Sequence, residues 1–377
     1  MTVVLVLLVG VFLAYVNGAN DVSKGIATLV GSGVTDYRRA ISWGAAWTAA
    51  GGFLGALFAG AMLTTFGNGL LAPGTTPTFA AAVALVLGAA GWVLFATLTG
   101  LPVSTTHAIV GSLTGVAALA YGTGAVRWGA LGGKVFLPLL VSPFAALLLT
   151  GLLLRVTRSR AGGTEARTDC LCAEVEPAVV AAAGASFHRS SALVPAELKL
   201  RVTTGPAEVC ASSQPATVRL TLDHLHWLTS GAASLARGMN DSPKMVALLV
   251  AASALAGKAT IPAPNLFAVV TVAMVAGSLV AGRRVTHVLA EKMTAMDHHE
   301  GFSANLVTAG LVTAGAIYGL PMSTTHVSSG GIISAGFARG SLNHKTLRDI
   351  VLAWIVTLPA AAGLGMVAYL VARAISG

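Results

Sequence analysis

The chain has 377 residues, of which 55% are hydrophobic and only 10% charged. Soluble domains carry roughly 25% charged residues, so this composition excludes a soluble globular protein and indicates a polytopic membrane protein. A formal net charge of +9 would suit nucleic acid, but the basic residues gather in a few short loops, the pattern by which membrane proteins encode orientation, and no nucleic-acid partner is expected.

In chain order, the first apolar run, at about residues 2–19, has no basic leader region and passes straight into Asn20-Asp21-Val22-Ser23-Lys24. A signal peptide would end there in a small-residue cleavage site, so the run reads as a retained helix. Runs at about 40–66, 79–99, 103–122 and 128–154 complete a first half. Most are near the roughly 20 residues that cross a bilayer as helix. A second polar block, Gly100-Leu101-Pro102-Val103-Ser104-Thr105-Thr106-His107, interrupts them.

A polar stretch from about Arg155 to Thr221 follows and holds all three cysteines, Cys170, Cys172 and Cys210. Alternation in Lys199-Leu200-Arg201-Val202 and Val218-Arg219-Leu220-Thr221 predicts short strands. Cys-x-Cys with one distant cysteine is an incomplete zinc pattern, so reduced cytosolic thiols are expected, with no metal and no cofactor. Beyond it, apolar runs at about 225–236, 245–256, 264–281, 303–320, 322–338 and 350–372 enclose a second copy of both polar blocks. These are Asn240-Asp241-Ser242-Pro243-Lys244 and Gly319-Leu320-Pro321-Met322-Ser323-Thr324-Thr325-His326. Asn20 to Asn240 is a shift of 220 positions and Ser104 to Ser323 one of 219. The chain is therefore an internal duplication, with residues 1–154 and 222–377 as transmembrane repeats and 155–221 as a small polar insert.

Each half contains an odd number of crossings whether the pair around Gly100 and Pro102 spans fully or forms a re-entrant hairpin, and odd repeats insert with opposite orientation. The expected fold is an all-α polytopic membrane protein of two inverted-topology repeats with broken helices or helical hairpins. Arg38, Arg39, Arg283, Arg284, Lys292, Arg339, Lys345 and Arg348 fall on one side, against Arg127, Lys258 and Arg373 on the other. Positive residues mark the cytoplasmic side, which puts both termini outside the cell membrane and the insert in the cytoplasm.

Pro243 lacks a backbone donor and biases Ser242 away from helix, so a break near Asn240 is expected, with Asp241 or Ser242 capping a new helix. A matching break is expected near Asn20. Pro102 and Pro321 do the same at the second block, where Ser-Thr-Thr-His hydroxyls can cap a helix whose free N–H groups face an anion. A cluster of hydroxyls and amides satisfies tetrahedral oxygens, which points to phosphate or sulfate. The many glycines, among them Gly51, Gly52, Gly55, Gly132 and Gly133, are expected to let helices approach closely. His298 and His299, beside Asp297 and Glu300, read as solvated loop. Asn17 and Asn68 have no duplicated partner and are set aside.

These paired blocks resemble the PiT family of inorganic phosphate transporters, sodium- or proton-coupled permeases with Gly-x-Asn-Asp near the start of each half. Gly18-Ala19-Asn20-Asp21, Gly238-Met239-Asn240-Asp241 and the two Gly-Leu-Pro-x-Ser-Thr-Thr-His blocks carry the likeness, which covers nearly the whole chain apart from the insert. The resemblance implies that the Asn-Asp pairs and Ser-Thr-Thr segments line the substrate and coupling-ion sites, and it implies a homodimer. It also leaves a sulfate permease open. Relatives that use sodium continue Asn-Asp-x-Ala-Asn, whereas here the fifth position is Lys24 or Lys244. A carboxamide oxygen can coordinate sodium and an ammonium only donates, so proton coupling is favoured over sodium, each ammonium standing in the place of a sodium ion.

The reading is a secondary active transporter that moves inorganic phosphate, with a sulfate permease and an anion channel as alternatives. The anion-binding set is Asn20, Asp21, Lys24, Ser104, Thr105, Thr106, Asn240, Asp241, Lys244, Ser323, Thr324 and Thr325, with the four threonines expected to matter most. Asp21, Asp241, His107 and His326 are the candidates for proton or coupling-ion handling, since ionisable groups at membrane depth are functional by default and histidine titrates near neutrality. The histidines read equally as neutral packing residues. A membrane hydrolase is disfavoured: it needs one nucleophile and base, and nothing in that chemistry requires two copies.

Overall fold

Helix after helix in this chain is apolar on every side, which suits a lipid surround better than water. Large side chains such as Leu8, Leu57, Leu148, Val280 and Ile355 accordingly stand exposed. The computed structural model describes residues 2–160, 170–177, 198–205, 218–255 and 261–376. Six of its helical segments are long and apolar enough to cross a membrane: Val4–Gly31, Tyr37–Phe58, Phe79–Thr99, Trp128–Thr157, Ala263–Ala281 and His344–Ile375. The molecule is a multi-pass helical membrane protein.

Two compact units divide the chain, one from Met1–Leu154 with His226–Gly377 and one from Arg155–Leu225. In the first unit and its extensions lie α1 (Thr2–Asp21), α2 (Ser23–Gly31), α3 (Tyr37–Phe58), α4 (Gly60–Thr64), α5 (Phe79–Thr99), α6 (Thr105–Tyr121), α7 (Trp128–Leu131) and α8 (Leu137–Arg160). They are followed by α9 (Leu222–Leu255), α10 (Ala263–Ala281), α11 (Arg283–His287), α12 (His298–Ile317), α13 (Thr324–Arg339) and α14 (His344–Ser376). The sequence duplication recurs as matched elements. Thus α9 answers α1 with α2, α10 answers α3, α12 and α13 answer α5 and α6, and α14 answers α8. Even a small irregularity repeats: α4 runs into a π-helical turn at Thr65–Gly69, and α11 into one at Val288–Lys292.

The second unit is a three-stranded antiparallel sheet, β1 (Cys170–Pro177), β2 (Leu198–Gly205) and β3 (Val218–Thr221), in the order β2-β1-β3. Both alternating stretches are strands. Cys170 pairs with Gly205 on one side and Thr221 on the other. It is disulfide-bonded, so the expectation of reduced thiols fails at this position. Spacing along a chain does not show which sulfurs a sheet brings within bonding distance. The side chains of Cys172, Cys210 and Asn68, and Lys258, lie outside the described residues.

Helix breaks follow the sequence only in part. The first occurs as expected, α1 ending at Asp21 and α2 starting at Ser23 across a single turn residue, Val22. The second does not: α9 runs unbroken through Pro243 for 34 residues, and neither Asp241 nor Ser242 caps a new helix. A proline removes one hydrogen bond and strains one turn, which neighbouring helices in a membrane can absorb. Here Ser242 Oγ instead donates to Gly52 O of α3 at 3.1 Å, tying the turn at Pro243 to a neighbour.

The long motif helices of the two halves lie against each other head to tail. Gly10 abuts Leu249, Asn17 reaches Asp241, Ser230 donates to Gly25 O, and His226 meets Thr28. Numbers rise along one helix as they fall along the other, so matched helices run antiparallel.

Two helical hairpins complete the frame. The feet of α5 and α6 are joined where Tyr121 Oη accepts from Thr78 N at 2.6 Å and Leu71 bridges Val126. Those of α12 and α13 are joined where Arg339 pairs with Asp297 at 2.7 Å and Glu300 at 3.0 Å. Glu300 is fully buried and completes a capping box with Asp297, so the stretch read as loop begins a helix, while His298 is exposed as expected and His299 partly so. At the opposite end, Gly100 (φ 80°) and Gly319 (φ 67°) terminate α5 and α12 in the left-handed region, which glycine alone enters without steric cost. An extended Pro-containing segment then leads into α6 or α13.

Candidate functional site

The hairpin tips meet the motif helices, and the asparagines make the seam. Asn20 Nδ2 donates to Thr97 Oγ1 and Leu101 O, both at 3.1 Å, while its Oδ1 accepts from Val103 N at 3.3 Å. Asn240 Nδ2 donates to Met322 O at 3.0 Å and to Asp241 Oδ1 at 2.9 Å. Each tip is thereby held against its own half's motif helix, in both halves by the carboxamide of the Asn-Asp pair.

Each lysine forms an ion pair with the aspartate three residues before it, at 2.8 Å for Lys24 and Asp21 and 3.2 Å for Lys244 and Asp241. Their remaining partners differ. Lys24 Nζ also donates to Asn20 O and Asn20 Oδ1, both at 2.7 Å, so all its acceptors come from one helical turn. Lys244 Nζ donates to Thr106 Oγ1 at 2.8 Å and Met322 O at 3.1 Å. Its acceptors come from α9 and from both hairpins.

Ser104 and Ser323 are the N-caps of α6 and α13, each hydroxyl accepting at 3.2 Å from the backbone N–H of His107 or His326. Beyond the caps the symmetry fades. Thr105 Oγ1 donates to Asp21 Oδ2 at 3.1 Å, whereas its counterpart Thr324, also buried, makes no side-chain hydrogen bond among the described residues. Thr106 accepts from Lys244, while Thr325 Oγ1 donates to Val103 O at 2.7 Å and so ties the second tip to the first. The rings of His107 and His326 lie 4.6 Å apart, and Trp354 packs on His326 at 4.1 Å. His326 Nδ1 stands 3.3 Å from Leu139 O.

The four sequence blocks therefore come together. Every one of the fourteen expected side chains is at most 7% exposed. Acid, amide, ammonium, hydroxyl and imidazole groups share one buried cluster at the junction of the two repeats. A cavity of about 620 Å³ opens a turn beyond Lys244, lined by Leu113, Val116, Ala247 and Leu248. Its lining is apolar apart from Thr64 and Tyr121, so it offers an oxyanion little, and the polar chemistry lies outside it.

Two residues at the heart of the cluster escape sequence reasoning. Asn17 Nδ2 lies 2.8 Å from Asp21 Oδ2, 3.0 Å from Thr105 Oγ1 and 3.3 Å from Asp241 Oδ2, so one carboxamide bridges the carboxylates of both halves. Arg237 is 1% exposed and donates to Thr48 Oγ1 at 2.8 Å and Ser278 Oγ at 3.4 Å. The shift of 220 that aligns Asn20 with Asn240 also aligns Asn17 with Arg237. Two polar residues of different type at one matched position are the signal that could have found them.

The motif glycines explain how the helices carrying these groups come so close. A Cβ at Gly238 would stand 2.5 Å from Thr48 O and 2.7 Å from Gly52 N of α3, and one at Gly18 would overlap Met274 O of α10. Gly51 and Gly55 likewise abut α9, as expected of packing glycines, but Gly132 and Gly133 face open space. Each motif helix thus packs on the second helix of the opposite half.

Comparison with known proteins identifies the family and the fold. Residues 17–365 match the family described as the phosphate transporter family. The chain is similar to inorganic phosphate transporter 2-1, chloroplastic, of Arabidopsis thaliana, at 30% identity over 96% of this chain and 70% of that one. A candidate phosphate permease of Pyrococcus horikoshii is 29% identical over 95% of each chain. The fold matches a solved structure named the sodium-dependent phosphate transporter, with a TM-score of 0.77 over the whole of both chains at 21% identity.

Proposed function

Since the chain belongs to the phosphate transporter family, we propose that it is a secondary active carrier of inorganic phosphate coupled to protons in place of sodium. The observation that carries this reading is the surroundings of the two ammonium groups. Lys24 Nζ has three oxygens at 2.7, 2.7 and 2.8 Å, and Lys244 Nζ three at 2.8, 3.1 and 3.2 Å, drawn from carboxylate, backbone carbonyl, carboxamide and hydroxyl groups. Hard metal cations take oxygen donors of these kinds. An ammonium with three N–H donors fills such a cage completely, leaving a sodium ion neither room nor charge balance.

The anion then lies among the first turns of α6 and α13, where free backbone N–H groups and the helix dipoles favour negative charge. Thr105 and Thr106 add hydroxyls there, and Thr324 has one uncommitted to any protein partner described. With the cation cages occupied by residues that do not leave, the coupled charge is a proton, carried on Asp21 or Asp241 or on the anion itself. His107 and His326, in ring contact at the tips, are placed to pass it on.

Uptake of labelled phosphate into proteoliposomes tests the coupling. Accumulation against a gradient is expected with sodium absent and an inward proton gradient imposed, and collapse of that gradient should abolish it. A strict sodium requirement would defeat the proposal, and so would downhill flux alone, the behaviour of a channel or an uncoupled carrier. The double variant Lys24→Asn, Lys244→Asn should acquire sodium dependence. Competition by sulfate in the same assay decides the substrate.

A further inference from the structure

Lys24 and Lys244 each have an aspartate, but among the described residues the third buried cation of the core, Arg237, has none. The Arg237 guanidinium is held through Nη2 alone, by two neutral hydroxyls. Its Nε and Nη1 are buried with no acceptor among the described residues. Among the described residues the ion pairs of Asp21 and Asp241 are with the lysines and not with Arg237. The core therefore sets three cations, Lys24, Lys244 and Arg237, against two carboxylates, Asp21 and Asp241, all at most 4% exposed. A buried charge that lacks a partner is strongly unfavourable, and a neutral side chain of similar volume would relieve the cost.

Position says what the surplus charge is for. Arg237 stands one turn before Asp241 on α9, at the place matched in the other half by Asn17, whose carboxamide touches both aspartates. Arg237 also donates to Ser278, whose hydroxyl in turn donates to Gly18 O at 3.1 Å beside the first motif, so it belongs to the same cluster although, among the described residues, it forms no ion pair in it. N–H groups without acceptors on a fixed cation are what an oxyanion recognises most strongly.

We infer that Arg237 is a direct contact of the transported oxyanion, its Nε–H and Nη1–H donating to the anion's oxygens and its charge leaving the core's own side chains one positive charge in excess. The inference rests on the reading of the chain as an oxyanion carrier and names a residue that reading does not require. Thr48 and Ser278 are then positioning residues that hold the guanidinium without neutralising it.

The test is titration of the full-length chain in detergent with inorganic phosphate, read by calorimetry and by thermal melting. Arg237→Met and Arg237→Gln should weaken phosphate binding at least tenfold, while Arg237→Lys, which keeps the charge, should recover most of the affinity. In the absence of phosphate the two neutral variants should melt no lower than the wild type, because they remove an unpaired buried charge. A structural role predicts the reverse, a lower melting point with the phosphate-induced rise intact, and that result would overturn the inference. So would unchanged affinity in either neutral variant, or failure of both to fold. A wild-type chain that binds neither phosphate nor sulfate would defeat the oxyanion reading itself, whereas binding that survives in the neutral variants defeats only the role of Arg237.

Discussion

At Asn17 a single amide nitrogen serves three acceptors, two of them carboxylate oxygens from opposite halves of the duplication. It has two hydrogens to offer, so the acceptors share them, and the 3.3 Å contact to Asp241 is the weakest of the three. A hydrogen bond to a charged group contributes about 1.5–3 kcal/mol. Asn17→Leu, similar in volume but without donors, should therefore slow phosphate uptake by roughly tenfold or more while the protein still elutes as a single species. Uptake at the wild-type rate would show that the bridge is dispensable. The residues legible in the sequence are those that come in identical pairs: Asn20 with Asn240, Asp21 with Asp241, Lys24 with Lys244. Asn17 and Arg237 were not legible because their types differ, and a duplication is noticed through likeness. Thr324 shows the converse. It has the type and the place, yet its counterpart Thr105 bonds Asp21 while Thr324 makes no side-chain hydrogen bond among the described residues.

Among elements, α9 shows how packing overrides a local signal. Pro243 and the polar run around it predict a break, but the helix continues because α3 is pressed along it at Gly51, Gly55 and Gly238. Alanine at position 238 would gain about 1 kcal/mol of helix propensity and lose more, since its Cβ would meet backbone atoms of α3 at 2.5 and 2.7 Å. Overpacking of this kind costs about 1–3 kcal/mol. Gly238→Ala should lower the melting temperature in detergent and abolish uptake. Gly310→Ala, on a face of α12 with nothing within 4 Å, should be neutral or slightly stabilising. Equal effects at the two glycines would refute the close crossing. The hairpins were more legible, because Gly-Leu-Pro followed by Ser-Thr-Thr joins a left-handed stop to an N-cap within a few residues, and both signals are local.

For the whole molecule, antiparallel contact between matched helices is the arrangement that two oppositely inserted repeats require. The distribution of basic residues predicts an orientation. A reporter fused after residue 377 should read as external, and one placed within residues 206–217 as cytoplasmic. The Cys170 disulfide makes this a sharp test, because disulfides persist in oxidising compartments and are rare in the cytosol. An external reading for the insert would reverse the charge-based orientation and agree with the sulfur chemistry. A cytoplasmic reading would uphold the charge count.

The sequence by itself determined that this is a membrane protein, that it is built twice over, and which acids, amides and hydroxyls recur. Hydrophobicity, caps and repeated motifs are properties of residues and their near neighbours, so they survive in one dimension. Only the tertiary structure decided that Lys24 closes its cage within one turn whereas Lys244 binds across both hairpins, that Asn17 bridges the two carboxylates, and that Arg237 forms no ion pair among the described residues. The contacts of Lys244 with the hairpins and of Asn17 with Thr105 and Asp241 join groups 78 to 224 positions apart along the chain. Which of two similar partners a buried charge meets is set by how the helices cross, and no local pattern encodes that.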